Sequence, residues 1–252
     1  MGRGAHAATT APWFFAPPEE WGTGEITLPA DESHHALRVM RIEPPDLLTV
    51  FDGRGSIARC AAARIDAERL VAEVLERDDV RPPTPHLAVY QAAPKGHKAD
   101  EVVERLAELG VAEVVLFEAE RSVVRWDTGK LHRLTERWAG IARSAAKQSR
   151  SPFLLRCEGG VPWTDLVARI EREPSTVVLW EHASLPLRVA LDRGPSRIAL
   201  VVGPEGGFAP SEAEELAGVG AQLVSLGPRI LRTEHAPVVA ATAVLFHYGL
   251  IG

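Results

Sequence analysis

The chain has 252 residues, 46% of them hydrophobic, which is enough apolar surface for one large core or two small ones. No run approaches the roughly 18 uninterrupted apolar residues of a membrane span, and the start shows no charged segment leading into an apolar stretch with a cleavage site, so the expected location is cytoplasmic. The two cysteines, Cys60 and Cys157, stand far apart without a CxxC or a nearby His pair and read as core residues, which excludes a disulfide framework and a metal site, while a net charge of −6 argues at first sight against a polyanionic partner.

Residues 1–77 read as β-rich. Short apolar or alternating runs, Gly24-Glu25-Ile26-Thr27-Leu28, Leu47-Leu48-Thr49-Val50-Phe51, Ser56-Ile57-Ala58-Arg59-Cys60 and Leu70-Val71-Ala72-Glu73-Val74-Leu75, are separated by turn residues, as in a small barrel. Asp52-Gly53 marks a hairpin turn. Between the first two runs lies a helical patch with Asp31 as N-cap, Ala36, Leu37 and Met40 on one face, and His34, Arg38 and Arg41 on the other. Residues 78–85 hold three prolines in four positions, which neither a helix nor a central strand can continue, and form a linker.

From residue 86 to 252 strand-like and helix-like segments alternate. His86 to Gln91 precedes a helix through Val102, Val103, Leu106 and Leu109; Val114-Val115-Leu116-Phe117 precedes a basic helix; Thr176-Val177-Val178-Leu179-Trp180 precedes a short one. Ile198-Ala199-Leu200-Val201-Val202 precedes a helix that Ser211-Glu212-Ala213-Glu214 opens as a capping box, and Leu223-Val224-Ser225-Leu226 precedes a terminal helix. Such alternation implies a mostly parallel α/β sheet whose strand-end loops gather at the carboxyl edge, where ligands bind. Trp180-Glu181-His182, Gly203-Pro204-Glu205-Gly206-Gly207-Phe208 and the stretch from Leu226 to Arg232 then share one site.

The glycine-rich loop is not a phosphate cradle. It presents Glu205 where a P-loop needs Lys, and the Gly-x-Gly triplets at residues 2–4, 22–24 and 53–55 lack the strand-to-helix setting of a dinucleotide site. Charge is segregated as well: from Arg121 to Arg150 eight basic residues face two acidic ones, a local excess of six that leaves −12 elsewhere. A local field of that sign attracts a polyanion; a solvated helix face is the competing reading.

Residues 203–208, together with Leu226-Gly227-Pro228-Arg229-Ile230-Leu231-Arg232-Thr233-Glu234, resemble the signature of the RsmE family, the 16S ribosomal RNA uridine-N3 methyltransferases of the SPOUT class. Upstream, Phe14-Phe15, His34-His35-Ala36-Leu37-Arg38-Val39-Met40-Arg41, Lys95-Gly96, Glu108-Leu109-Gly110-Val111, Glu120-Arg121-Ser122 and Trp138 through Ala145-Ala146-Lys147-Gln148-Ser149-Arg150 with Pro152 are similar to family blocks in family order. The resemblance implies an N-terminal PUA-like β-barrel that binds RNA, a C-terminal SPOUT α/β methyltransferase domain with a deep trefoil knot, and a homodimer. It also implies S-adenosylmethionine as cofactor and 16S rRNA, within the small ribosomal subunit, as partner.

Under that resemblance the cofactor site comprises Leu179, Trp180, Glu181, Gly203, Pro204, Gly206, Gly207, Leu226, Gly227, Ile230 and Leu231. Methylating N3 first removes a proton, so the chemistry needs a base or a fixed cation for the uracil anion. Arg232 is expected to stabilise the anion and Glu234 to act as base or to position Arg232; a pair that only fixes the loop is the alternative. Arg38, Arg41, Lys95, Arg121, Arg143, Lys147 and Arg150 are the expected RNA contacts. Glu205 has two readings, electrostatics beside a cationic ligand or a cap on the following turn. The chain departs from the family pattern at His235 and at Ala209, where the family has Thr or Ser and a capping Ser, and no catalytic role is carried over to His235. The segment from Ala236 to Ile251 is apolar nearly all round and is expected to be buried all round, by its own sheet and a partner subunit or inside a monomer core.

Overall fold

The computed structural model describes residues 11–122, 124–191 and 194–252, so the triplet at residues 2–4 lies outside the described residues. The chain forms two compact units: one takes the chain through Arg81 and then Arg150–Phe153, the other takes Pro82–Ser149 and Leu154–Gly252.

The first unit is built from β1 (Trp13–Phe15), β2 (Glu25–Thr27), α1 (Ala30–His34), β3 (Leu47–Phe51), β4 (Ser56–Asp66) and β5 (Arg69–Asp79). Its strands pair in the order β1-β3-β4-β5-β2, with β1 parallel to β3 and the rest antiparallel; among the described residues the two edge strands do not pair, so the sheet is not closed. Phe14, Ile26, Leu28, Leu48, Val50 and Leu70 are fully buried and form its core. The Asp52-Gly53 turn is present, with Asp52 Oδ1 accepting the N–H groups of Arg54 and Ser56 at 2.7 and 3.0 Å.

Two expectations for this unit change. Asp31 does not cap the helix: Pro29 precedes the first helical residue, Asp31 falls in the first turn, and the helix continues as a π-turn over His35–Val39. The β4–β5 hairpin is longer than its apolar runs because its two-residue turn is Ala67-Glu68, with φ of 44° and 63°. A turn of that kind normally carries Gly or Asn, so no local residue signals it.

In the second unit, β6 (His86–Ala92), α2 (Lys98–Glu108), β7 (Glu113–Phe117), α3 (Thr128–Ser149), β8 (Arg156–Val161), α4 (Trp163–Ile170), β9 (Thr176–Leu179), α5 (Leu187–Ala190), β10 (Arg197–Val202), α6 (Pro210–Gly218), β11 (Gln222–Val224) and α7 (Ala236–His247) follow in order. Six strands form one parallel sheet, β11-β9-β10-β6-β7-β8. The alternation is the expected one, with β8 and α4 added. The strand signal of β8 is diluted by Gly159 and Gly160, which packing demands: a Cβ on Gly159 would lie 2.8 Å from the Trp138 ring, and one on Gly160 2.7 Å from Leu131. Trp138, buried to 0% exposure, donates from Nε1 to Asp100 Oδ1 at 3.1 Å and so joins α3 to α2.

The cap of α6 sits earlier in the sequence than Ser211-Glu214. Ala209 is the N-cap, and Glu212 reaches back to its N–H at 2.8 Å while its other oxygen accepts from Glu120 N–H at 2.8 Å. With no side-chain oxygen on Ala209 this is half a capping box. On α7, Ala240, Ala241, Val244 and Leu245 are buried, whereas Val239 is 44% and Phe246 69% exposed, so within this chain the helix is buried on one face only. No helix among the described residues is long and apolar enough to cross a membrane.

The amino edge of this sheet is closed by charge. Arg197 donates to Glu173 at 2.7 Å, to Glu113 at 2.7 Å and to His86 Nδ1 at 2.9 Å, and Tyr90 donates its hydroxyl to Glu173 at 2.8 Å. An Arg donating to Nδ1 requires neutral imidazole. Burial pushes His86 below its ordinary value of 6.5, and the charges of Arg197 and Arg156 add to this against the opposing Glu113 and Glu173. A depressed histidine contributes stability that is present above the unfolded value and lost as pH falls below it. The melting temperature should therefore drop as pH falls below about 6.5, and that slope should flatten in His86→Gln. Parallel melting curves for the two proteins would contradict this account.

Candidate active site

The site follows from strand register. Val202 of β10 and Val224 of β11 both pair with Leu179 of β9, so the three strands end level and their loops start at the same height. Trp180 N–H donates to Val224 O at 2.9 Å, carrying the alignment one residue further. Between the loops lies a cavity of about 520 Å³.

The cavity is lined by Leu179, Trp180, Glu181, Gly203, Pro204, Gly207, Leu226, Gly227, Ile230 and Leu231, all expected from the sequence. Gly206 does not line it; its carbonyl oxygen accepts from Arg121 Nη1 at 2.9 Å. Phe208, 2% exposed and stacked on Phe117 with centroids 6.4 Å apart, anchors the glycine loop to the core. Gly207 has φ of 66°, and a Cβ there would meet Glu181 Oε1 at 2.5 Å. Gly227 has φ of 108° and no protein atom within 4 Å of where its Cβ would be, so the second loop leaves open space at that point of the wall.

One buried amide ties the two loops together. Gln91, at 0% exposure near the end of β6, donates from Nε2 to Thr233 Oγ1 at 2.9 Å and to Ala92 O at 3.0 Å, and the Thr233 hydroxyl donates to Gly203 O at 2.7 Å. Sequence reasoning missed Gln91, although an amide at the end of a buried, mostly apolar strand was the available signal.

It also missed Lys98, which lines the cavity at the start of α2. Lys98 Nζ stands 3.3 Å from Glu205 Oε1 and 3.0 Å from Glu234 Oε2, the latter an ion pair off the line of a directed hydrogen bond. Glu205 also accepts Lys95 N–H at 3.2 Å. The side chain of Glu205 thus reaches across to the entrance of α2 and does not cap its own following turn. Burial disfavours ionisation of both carboxyls, and for both the backbone N–H groups and Lys98 outweigh it, leaving them below the usual carboxylate range.

Arg232 lines the cavity with its side chain exposed and without a hydrogen bond or ion pair among the described residues. The Arg232–Glu234 pair that was the alternative reading is absent among the described residues, because Glu234, 7% exposed, turns to Lys98. His235 is exposed and is the N-cap of α7, its N–H donating to Arg232 O at 2.9 Å.

The basic residues divide. Lys95 and Arg121 lie beside the glycine loop, Arg121 shaping it through Gly206. Arg143 and Lys147 are half-buried on α3 and do not line the cavity. Arg38 and Arg41 are exposed in the first unit, and Arg150, expected on the second, groups with the first. Arg41 and Arg150 each end a helical segment in the left-handed region, with φ of 56° and 57°.

Residues 81–245 match the model of an RNA methyltransferase domain and residues 28–75 that of an RNA methyltransferase PUA domain. The first unit is thus PUA-like within a mixed α/β protein. Among curated relatives, the ribosomal RNA small subunit methyltransferase E of Mycobacterium bovis is 36% identical over 227 residues, covering 88% of this chain and 87% of that one. The Bacillus subtilis protein of the same name is 32% identical over 243 residues, covering 92% and 93%. In three dimensions, the Neisseria gonorrhoeae ribosomal RNA small subunit methyltransferase E, solved bound to S-adenosyl methionine, superposes with a TM-score of 0.82 at 27% identity over 94% of this chain and 97% of that one. Matches that run this far, through both units and through every loop that walls the cavity, make the chain a member of the ribosomal RNA small subunit methyltransferase E family.

Proposed function

We propose that the chain is an S-adenosylmethionine-dependent methyltransferase that modifies N3 of a uridine in 16S rRNA, acting in the cytoplasm on the small ribosomal subunit. The observation that carries this reading is the cavity at the carboxyl edge, whose two loops are joined through Gln91 and Thr233.

The residues present fit the cofactor. Leu179, Leu226, Ile230 and Leu231 supply apolar walls for a flat base, the open space at Gly227 admits it, and the buried Trp180 Nε1 has no hydrogen-bond partner among the described residues. Glu181, Glu205 and Glu234 line or border the cavity with negative charge suited to a cationic ligand, and no lysine stands in the glycine loop to meet a phosphate. When bound, S-adenosylmethionine supplies an electrophilic methyl group on positively charged sulfur.

The chain has to bring the uracil ring into line and stabilise its anion once N3 loses its proton. Arg232 suits that role, because its guanidinium is permanently charged, borders the cavity and is not committed to a carboxylate. Glu234, held ionised, is a weak proton acceptor, so its role is read as orienting the turn that carries Arg232, with the proton leaving to solvent. Arg38, Arg41, Lys95, Arg121, Arg143, Lys147 and Arg150 are proposed to meet the RNA backbone, with the target base extruded into the cavity.

The finer architecture belongs to the same proposal. Residues 1–77 are read as a PUA-like β-barrel domain for RNA, 78–85 as linker, and 86–252 as a SPOUT domain whose last part forms a trefoil knot, with no metal required. The exposed apolar face of α7 supports a homodimer, since Val239 and Phe246 need a cover.

Three outcomes are expected. Nucleosides from a deletion strain should lose 3-methyluridine from 16S rRNA, and loss of a 2′-O-methyl mark with 3-methyluridine intact would refute the assigned reaction. Arg232→Ala should lower turnover by roughly 10²- to 10³-fold with little change in calorimetric cofactor affinity; a wild-type rate would remove Arg232 from the chemistry. Phe246→Glu should shift the protein from dimer to monomer in sedimentation equilibrium, and an unchanged dimer would exclude this face as the interface.

A further inference from the structure

Lys98 is the cation that the chemistry above leaves unused. It stands in the first turn of α2, an element that belongs to neither loop, and its side chain is about one-third exposed at the cavity wall. Its two partners come from the two loops: Glu205 from the one after β10 and Glu234 from the one after β11. Glu205 is held a second time by Lys95 N–H, so the glycine loop meets the entrance of α2 at two points. Glu234, the more deeply buried partner, lies next but one to Arg232, and the turn between them is closed by His235 N–H and Ala236 N–H donating to Arg232 O at 2.9 and 3.0 Å.

We propose that Lys98 is a positioning residue for methyl transfer: its ammonium bridges the Glu205 and Glu234 carboxylates, locks the two cavity-walling loops against α2, and thereby holds the turn that aims Arg232. This rests on the role assigned to Arg232, and it adds a dependence that the cofactor and substrate do not by themselves impose. A buried carboxylate without its cation is driven to take up a proton or to turn towards water, and either change releases the turn at Arg232. The Gln91–Thr233–Gly203 link fixes the loops at their base; the Lys98 bridge fixes them at the rim.

The groups that face Lys98 and its partners are Glu205, Glu234 and His235, with Arg229, Arg232 and Glu181 on the remaining walls of the cavity. Glu205 and Glu234 are both held below their ordinary value of 4.5, so their contribution to stability is present above that value and lost as pH falls through the lowered one. Without Lys98, burial is opposed less, the folded-state values rise towards or past the unfolded one, and this acid-side loss shrinks or reverses.

The test compares wild type with Lys98→Met, Lys98→Arg, Glu234→Gln and Lys98→Met/Glu234→Gln by steady-state kinetics across pH, and by thermal melting of the same proteins without ligand. Lys98→Met should lower kcat roughly 10- to 100-fold with a much smaller change in the KM for cofactor, and should move the acid limb of the rate profile to higher pH. Lys98→Arg should restore most of the rate. In the double variant the losses should not multiply, because both substitutions break one bridge. Independent, multiplying losses with an unmoved acid limb, or no rescue by Arg, would overturn the proposal. The melting curves separate this inference from the proposed reaction: in Lys98→Met the melting temperature should fall near neutral pH and its further drop on acidification should shrink, whatever the protein methylates, and a melting profile parallel to that of wild type sinks the bridge even in an active enzyme. Should Lys98→Met fail to fold, Glu234→Gln and Lys98→Arg decide it by the same melting comparison.

Discussion

The site depends on a single buried amide. Gln91 sits in a central strand between Leu116 and Val202 of the flanking strands, and its Nε2 group donates to Thr233 Oγ1 and Ala92 O, while the Thr233 hydroxyl donates to Gly203 O. An unpaired polar group at this depth would cost on the order of 1–3 kcal/mol, so the three groups are held together by what each would lose alone. The consequence is geometric. Gly203 opens the first loop and Thr233 lies near the end of the second, and the node makes them opposite sides of one cavity rather than two independent loops on a sheet edge.

Upon that frame the charges are divided between two kinds of work. The cation at the start of α2 is committed to carboxylates and holds shape, whereas Arg232 makes no hydrogen bond or ion pair among the described residues and keeps its charge for whatever enters. A guanidinium committed to Glu234 would have been neutralised before substrate arrived. Because Lys98 takes Glu234, the short spacing of Arg232 and Glu234 in sequence does not become a pair in space. Arg121 stands between these two kinds, since its bond to Gly206 O makes it part of the loop's structure as well as a candidate for phosphate.

Which parts were legible in the sequence follows from where the signal is stored. Parallel strands buried on both faces leave continuous runs such as Ile198 to Val202, and the loops after them carry Gly and Pro, so the sheet and the carboxyl-edge site could be read directly, and the family resemblance implied ten of its lining residues. Contacts between residues far apart in sequence leave no such trace. Lys98 and Glu205 are 107 positions apart and Gln91 and Thr233 are 142 apart, and nothing local marks either pair. The misread caps and turns have a different cause, since Ala209 and Ala67-Glu68 occupy positions where backbone geometry prevails over side-chain preference. The cover of α7 was not legible, because composition records that a helix is apolar, not which molecule covers each face.

The two edges of the sheet are linked by register. At the amino edge, Arg197 binds Glu113 on β7, His86 on β6 and Glu173 before β9, joining three neighbouring strands of the sheet and the approach to a fourth through partially buried, mutually satisfied groups. In parallel strands a slip by one residue turns every side chain to the opposite face, so clamping these strands at one end fixes which residues emerge at the other. That constraint holds β10 in register with β6, and the pairing of β9 with β10 and β11 then puts Leu179, Val202 and Val224 level and starts three loops at one height. The charged network far from the chemistry therefore acts on it through the rigidity of the strands, and the cavity's shape is a property of the whole sheet rather than of the glycine-rich loop alone.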